Sequence, residues 1–230
     1  MVSPGIDEVP AHETLIRVDN LQVDYESVIR EAIGLGYGSV MVDGSRLSLE
    51  DNIEATRRIT GIAHAAGVPV EGELGAVMGH ESGPLPPYEE LFASGQGFTS
   101  PEAAKQFVAE TGVDWLSVAI GNVHGAIAAS VRQGKKVEAR LNLDQLQRIY
   151  EAAQVPLVLH GGTGIRREYI QGAFRRGIAK INIATAIRQP YEANLTKSTT
   201  AAQQAVYDAT MNVLTEDLGL VAASAVISQS

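Results

Sequence analysis

Short apolar runs, many of them β-branched, alternate along the chain with longer stretches in which apolar residues recur at helical spacing. Strands that are apolar nearly throughout are typical of a parallel sheet buried on both faces, and the longer stretches are typical of amphipathic helices. The pattern therefore predicts six successive strand–helix units. The predicted strands span residues 14–18, 38–42, 68–74, 114–121, 155–161 and 179–184.

Capping residues and glycines mark the ends of the predicted helices. Ser48 and Ser100 each precede a helical stretch and are predicted N-caps, and Pro101 suits the first helical position after Ser100. Glycines in the left-handed conformation commonly end helices. The glycines that follow predicted helices are Gly36, Gly67, Gly112 and Gly177.

The 230 residues, 45% of them hydrophobic, predict one domain that spans the whole chain. Residues 1–13 form an irregular N-terminal segment in this interpretation. Residues 79–97, "GHESGPLPPYEELFASGQG", form a loop that is long for a compact domain. Loops of this length are usually functional, so we expect an active-site loop here.

Charge and cysteine content narrow the class of partner. A net charge of −9 and the lack of a Lys/Arg cluster argue against nucleic acid and anionic membranes, which favours a small-molecule partner. With no cysteine, a metal site must use His, Asp or Glu. The N-terminal residues lack a basic start and an apolar core, and no apolar run reaches membrane-spanning length, so a soluble, cytoplasmic protein is expected.

Polar residues gather at the C-terminal ends of the predicted strands, where a parallel α/β barrel builds its active site. A doubly wound sheet also binds ligands at its carboxyl ends, so both architectures stay open at this point. These residues are Asp19, Asn20, Asp43, Glu71, Glu73, Asn122, His124, His160 and Asn182.

Two histidines follow neighbouring strands, His124 in "GNVHGA" and His160 in "VLHGG". Two imidazoles with a third ligand and an open position are typical of a catalytic zinc site. The alternative is that each histidine only hydrogen-bonds a loop. His64 and His12 lie in a helix and in the N-terminal segment, which favours surface or packing roles.

The sequence "GGTG" after His160 opens a helix, as do many phosphate-binding turns. Gly161, Gly162 and Thr163 are therefore candidates to bind a phosphate, and Asn182 and Thr185 follow the next strand. Phosphate sites in barrels commonly use the loops after the last strands. Tight turn geometry is the alternative reason for these glycines.

Four strings carry a resemblance to a known family: "GYGSVMVDGSRLSLEDNIEATRRITGIAHAAGVPVEGELGAVMG", "TGVDWLSVAIGNVHG", "VPLVLHGGTGI" and "AKINIAT". They closely resemble the class II, metal-dependent fructose-bisphosphate and tagatose-bisphosphate aldolases. The resemblance implies a (β/α)8 barrel that cleaves a ketose bisphosphate to dihydroxyacetone phosphate and an aldehyde. It implies Zn²⁺ as cofactor, a phosphorylated sugar as substrate, and a homodimer or homotetramer as the expected assembly.

The resemblance also assigns roles. His124 and His160 match two of the three zinc ligands, while Asp43 and Glu73 match carboxylates near the metal that are often associated with a second divalent or monovalent cation. Glu81 matches the carboxylate that exchanges a proton with the triose phosphate carbon.

Asp19 matches the carboxylate that handles the hydroxyl proton. Residues matching those that bind the triose phosphate are Gly125, Gly161, Gly162, Thr163, Asn182 and Thr185.

The chain departs from the family pattern in two main places. Asn20 stands where the family has its third zinc-binding histidine, and an amide oxygen is a poor exchange for imidazole, so His80 is an alternative donor.

About fourteen residues precede the strand that matches the family's third. We therefore expect an incomplete barrel that lacks the first two βα units. A shortened gene product, a partner chain that supplies strands, and a sheet that closes differently are the three alternatives. Two smaller departures are Arg46, where many relatives have histidine, and Ala184, where they often have a carboxylate or an amide.

Three functional hypotheses follow. The first is an active zinc-dependent aldolase. The second is a non-catalytic phosphosugar-binding relative, and the third is an assembly subunit whose sheet edges pair with another chain.

Overall fold

The computed structural model describes residues 13–22, 24–75, 87–123 and 139–221. Six strands lie in one sheet in chain order, and neighbouring strands from the first to the fifth pair in parallel. Each overlaps a predicted strand, so the six strand predictions are confirmed. The strands are β1 (Glu13–Arg17), β2 (Ser39–Asp43), β3 (Val70–Leu74), β4 (Trp115–Val118), β5 (Leu157–Leu159) and β6 (Ile178–Ile181).

Helices separate the strands. They are α1 (Tyr25–Gly34), α2 (Leu49–Ala65), α3 (Tyr88–Ser94), α4 (Pro101–Thr111), α5 (Leu143–Ala153), α6 (Arg167–Phe174), α7 (Thr185–Leu195) and α8 (Thr199–Asn212), with a π-helical turn at Val213–Asp217. The short helix α3 lies within residues 79–97, which were predicted as a loop; residues 79–86 lie outside the described residues. Among the described residues, no helix is long and apolar enough to cross a membrane.

The predicted helix caps are confirmed. The Ser48 hydroxyl accepts a hydrogen bond from the backbone N–H of Asp51, and the Ser100 hydroxyl accepts one from Ala103. Gly112 ends α4 at a φ of +70°, a conformation that side chains with a Cβ rarely adopt. These local signals depend only on neighbouring residues, which is why the sequence predicts them.

Strand order distinguishes the two architectures that the sequence left open. A doubly wound sheet reverses its strand order at a switch point. The six strands here follow one another without reversal. Parallel strands in chain order, alternating with helices, are the arrangement of part of a (β/α)8 barrel.

One compact unit comprises residues 1–76, 97–119 and 144–158. Its core joins the helix-facing side chains of β2 to β4 to the apolar stripes of α2 and α4. Phe107 of α4 packs directly over Gly72, where a Cβ atom would lie 2.6 Å from the aromatic ring. Its fully buried side chains include Val40, Val42, Val70, Phe107 and Leu116.

The second compact unit comprises residues 77–96, 120–143 and 159–230. In it α7 packs along α8, and α6 packs against the π-helical turn. Its buried apolar side chains include Leu159, Ile165, Ile170, Ile178 and Val213.

Candidate active site

Arg17 and Asp43 end β1 and β2, and Glu73 is the next-to-last residue of β3, so the three lie at one level of the sheet. In the parallel register Arg17 of β1 lies beside Asp43 of β2, which lies beside Glu73 of β3. The two acidic residues are only 5% and 3% exposed. The guanidinium Nε of Arg17 donates to Oδ2 of Asp43 at 2.8 Å. The sequence singled out the two acids, whereas the role of Arg17 was missed.

Ser45 engages the other oxygen of Asp43. Its hydroxyl donates to Oδ1 at 2.6 Å, and its backbone N–H donates to the same atom at 3.2 Å. Burial raises the pKa of Asp43, but the hydrogen bonds from Ser45 and Arg17 together outweigh burial and place that pKa below its ordinary value. Asp43 is therefore an ionised carboxylate with a donor on each oxygen.

Asp19 and Asn20 follow β1 and are exposed. The amide oxygen of Asn20 accepts a hydrogen bond from the backbone N–H of Gln22 at 2.9 Å, which forms a local Asx-type turn. This oxygen is the atom that Asn20 could offer a metal where the family has histidine. An amide oxygen is a poorer zinc ligand than imidazole, so Asn20 fits the role of third ligand poorly.

Asn52 supports the end of β3 from helix α2. It is 1% exposed, its Nδ2 donates to the carbonyl oxygen of Glu73 at 2.9 Å, and its Oδ1 accepts from the Thr56 hydroxyl at 3.1 Å. A Cβ atom at Gly44 would lie 2.2 Å from the same Oδ1. The glycine after Asp43 thus allows α2 to approach β2 and β3 closely.

Thr99 ties the ends of β3 and β4 together. Its hydroxyl donates to the carbonyl of Leu74 at 2.5 Å and accepts from the backbone N–H of Ala119 at 2.9 Å. Its own backbone N–H donates to the Ala119 carbonyl, and its carbonyl accepts from the side chain of Gln145. This buried threonine holds the residue that follows Glu73 in place.

In the second unit, His160 directly follows β5 and is 4% exposed. The Asn122 amide nitrogen donates to its carbonyl at 3.1 Å, and the Asn182 amide nitrogen lies 3.1 Å from its Nε2. With the Asn182 amide nitrogen as donor, Nε2 accepts, which corresponds to the neutral ring that carries its proton on Nδ1. His160 thus presents a ring lone pair of the kind that binds zinc.

The glycine-rich turn after His160 is fixed by hydrogen bonds and packing. The Gly162 N–H donates to the Asn182 carbonyl at 3.0 Å, and a Cβ atom at Gly162 would lie 2.8 Å from Ile181. Gly161 has a φ of +67°. Both glycines thus serve tight turn geometry, and their role in binding phosphate stays a prediction.

The same turn meets the N-terminus of α7. The Thr163 hydroxyl accepts the backbone N–H of Ala186, the second residue of the helix, at 3.2 Å, and Thr185 begins the helix. An N-terminus with exposed N–H groups attracts anions. The residues predicted to bind phosphate are thus brought together here, with the exception of Gly125.

Three predicted site residues, Glu81, His124 and Gly125, lie outside the described residues, as does the alternative ligand His80. In the parts of the chain that the structure describes, no three His, Asp or Glu side chains are grouped to hold a metal. The fit of zinc therefore rests on the donor chemistry of His160, which suits it.

Tyr88 of α3 contacts the backbone at Gly121 and at Arg140, which precede and follow residues 124–138 in the chain. Its hydroxyl lies 3.0 Å from the carbonyl oxygens of Gly121 and Arg140 and accepts from the Arg140 N–H at 2.6 Å. The Arg140 guanidinium stacks 4.7 Å from the centre of the Phe92 ring and pairs with Glu89. Sequence reasoning missed this contact because it placed Tyr88 in a loop.

The sequence model of the family described as "Fructose-bisphosphate aldolase class-II" matches residues 17–226. The chain belongs to this family. A fructose-bisphosphate aldolase of Streptococcus pneumoniae is 38% identical over 162 residues, which cover 70% of this chain and 50% of that protein. The chain thus spans about half the length of the curated relatives that it matches.

Solved structures of aldolases share the fold. The crystal structure of the YdjI aldolase from Escherichia coli matches with a TM-score of 0.61 at 32% identity, covering 81% of this chain and 62% of that one. A putative fructose-1,6-biphosphate aldolase from Coccidioides immitis matches with a TM-score of 0.66 at 30% identity, covering 86% and 69%.

Proposed function

We propose that this chain is a zinc-dependent aldolase that cleaves a ketose bisphosphate, such as fructose 1,6-bisphosphate or tagatose 1,6-bisphosphate, to dihydroxyacetone phosphate and an aldehyde. The observation that carries the proposal is the buried His160, whose Nε2 lone pair faces Asn182 beside the glycine turn and the N-terminus of α7. Membership of the class II aldolase family gives that arrangement its chemical meaning.

His124 and His160 would hold the zinc ion. When bound, zinc supplies Lewis-acid polarisation of the ketose carbonyl. The Nε2 atom of His160 has one lone pair, so Asn182 would give up its 3.1 Å hydrogen bond if Nε2 held the metal. Asn182 would then be free to donate to the substrate.

Two carboxylates would move the protons. Cleavage of the carbon–carbon bond requires a base for the hydroxyl proton and an acid that protonates the new carbanionic carbon. Asp19 is exposed at the end of β1 and suits the first task. Glu81 is assigned to the second by the family resemblance.

The triose phosphate would lie against the N-terminus of α7. Gly161, Gly162 and Thr163 approach it from one side, and Asn182 and Thr185 belong to the segment that leads into the helix. The N-terminal helix dipole and the main-chain N–H groups favour the phosphate dianion at this position. Gly125 is proposed to contribute from the loop after β4.

Metal analysis of the purified chain, alongside His160→Ala, tests the proposal. The parent is expected to hold about one zinc ion per chain, and His160→Ala to lose it. His64→Ala is the matched control, because the His64 ring contacts Asp114 at the surface. Dihydroxyacetone phosphate should exchange a carbon-bound proton with deuterated solvent in NMR spectra of the parent. A parent chain that holds no zinc and exchanges no proton would overturn the proposal.

Asn20, an amide where the family has a zinc-binding histidine, favours a second candidate, a non-catalytic phosphosugar-binding protein. In that case dihydroxyacetone phosphate would raise the melting temperature while added zinc would not. Asn20→His separates the two functions. If zinc binds only after this substitution, the parent is a binding protein with an incomplete metal site.

A further inference from the structure

Arg17 lies among acidic residues at the end of β1. The hydrogen bond to Asp43 raises the pKa of Arg17 above its ordinary value, burial opposes this, and the charges of Asp43, Asp19 and Glu73 raise it further. Three carboxylates thus act on one guanidinium, and two of them, Asp43 and Glu73, are nearly inaccessible to solvent.

Asp43 is poorly placed to bind a cation. A cation ligand offers an oxygen lone pair, but Oδ2 accepts from Arg17 at 2.8 Å and Oδ1 accepts twice from Ser45. The three hydrogen bonds leave at most one lone pair, on Oδ2, and a metal ion bound there would lie next to a guanidinium that is always charged. A second divalent or monovalent cation therefore does not fit at Asp43.

We propose that the guanidinium of Arg17 supplies the positive charge at the Asp43–Glu73 pair, in place of a second cation. A buried carboxylate pair requires a nearby opposite charge, because an uncompensated charge in a low-dielectric site is costly. Arg17 meets this requirement through a hydrogen bond to Asp43, which lies beside Glu73 in the strand register. The inference rests on the proposed function only in that the family resemblance associates Asp43 and Glu73 with a second cation.

Binding of a substrate phosphate is the other role open to an arginine here. One positive charge acts against three carboxylates, so the surroundings of Arg17 repel a dianion rather than attract it. The Arg17 guanidinium is also held by its hydrogen bond to Asp43. The structure thus favours a fixed counter-charge over an anion site.

The test compares the melting temperature of the full chain in MgCl₂ and in KCl with that in choline chloride of equal ionic strength. The parent should show no cation-specific rise, since general screening is the same in all three salts. Arg17→Gln, which removes the charge, should show a rise with Mg²⁺ or K⁺ and bind at least about tenfold more tightly than the parent. Arg17→Lys keeps a charge and should behave like the parent, as should the surface control Arg30→Gln.

The site of any gain is checked with the double variant Arg17→Gln/Asp43→Asn, in which the cation-specific rise should disappear. An Arg17→Gln chain that folds only with Mg²⁺ or K⁺ present would support the proposal. A parent with a cation-specific rise that Asp43→Asn removes would overturn it, and so would a folded Arg17→Gln chain without such a rise. If Arg17→Gln does not fold in any salt, Arg17→His measured at pH 8 replaces it under the same criteria.

The zinc content and proton exchange of the parent are measured separately. If the parent holds no zinc and exchanges no proton, the aldolase proposal is wrong. The cation-specific shifts in melting temperature still decide the role of Arg17.

Discussion

The amide nitrogen of Asn52 in α2 donates a hydrogen bond to the main-chain carbonyl of Glu73 at the end of β3, over 2.9 Å. Both residues are buried. A helix side chain thereby satisfies a strand carbonyl at the level where Glu73 and Asp43 lie side by side. The contact joins the packing of α2 to the position of an acid in the candidate site.

Asn52→Ala should lower the free energy of unfolding by about 1–3 kcal/mol, because the Glu73 carbonyl and the Thr56 hydroxyl lose a buried partner. Urea denaturation followed by circular dichroism measures the change. Glu54→Ala, an exposed position in the same helix, should stay within about 0.5 kcal/mol of the parent. Equal losses in the two variants would show that the bond to Glu73 does not stabilise the fold.

Thr99→Val should lower the free energy of unfolding by about 2–4 kcal/mol, because it keeps the shape of the side chain but leaves two buried backbone groups without a hydrogen-bond partner. The Leu74 carbonyl loses its donor and the Ala119 N–H loses its acceptor. Urea denaturation checks the value, with Thr200→Val on an exposed turn of α8 as the control. If Thr99→Val loses less stability than Thr200→Val, the hydrogen bonds of the Thr99 hydroxyl do not hold the ends of β3 and β4 together.

Local signals account for what could be predicted from the sequence. The strands, the caps Ser48 and Ser100, and the placement of His160 after β5 depend on runs of neighbouring residues, and the structure has them where the pattern indicated. Thr99 and Tyr88 act through residues 20 to 52 positions away. No periodicity encodes such contacts, so the sequence could not reveal them.

The same limit applies inside the candidate site. Asp43 and Glu73 were singled out because a charge at the end of an apolar strand is conspicuous in a sequence. Arg17 ends an apolar strand too, but its importance depends on the register that sets β1 beside β2. That register is a property of the folded sheet. The glycine turn likewise looked like a phosphate motif, while its packing against Ile181 appears only in three dimensions.

Gly162→Ala should destabilise the chain by about 1–3 kcal/mol, since the added Cβ would overlap side chains of the segment that follows β6 and of β6 itself. Thermal unfolding measures the loss, and NMR of the His160 ring reports whether its contact with Asn182 is disturbed. The control is Gly34→Ala at the end of α1, where an added Cβ meets nothing within 4 Å. That variant should be neutral or slightly stabilising. A Gly162→Ala chain as stable as the Gly34→Ala chain would show that the turn has room for a side chain.

Tyr88 gives the fold a sensitivity to alkaline pH. Burial raises the pKa of Tyr88 above its ordinary value of 10.0, and the hydrogen bond and charge of Arg140 oppose this without cancelling it. A group whose pKa is raised in the folded state stabilises the fold below its unfolded pKa, and this contribution is lost as pH rises above about 10. The ionised phenolate can no longer donate to the carbonyls of Gly121 or Arg140.

Tyr88→Phe should therefore cost about 1–2 kcal/mol at pH 7, because the Arg140 N–H and both carbonyls lose the hydroxyl. The difference between parent and variant should shrink between pH 10 and pH 11, where the parent loses the contribution of Tyr88. Urea denaturation at each pH measures both quantities. Tyr207→Phe, at a tyrosine that is 62% exposed on α8, should show neither effect. A parent–variant difference that stays constant up to pH 11 would contradict the raised pKa. If Tyr88→Phe is as stable as the parent at pH 7, the hydrogen bonds of the Tyr88 hydroxyl to the backbone at Gly121 and Arg140 do not stabilise the fold.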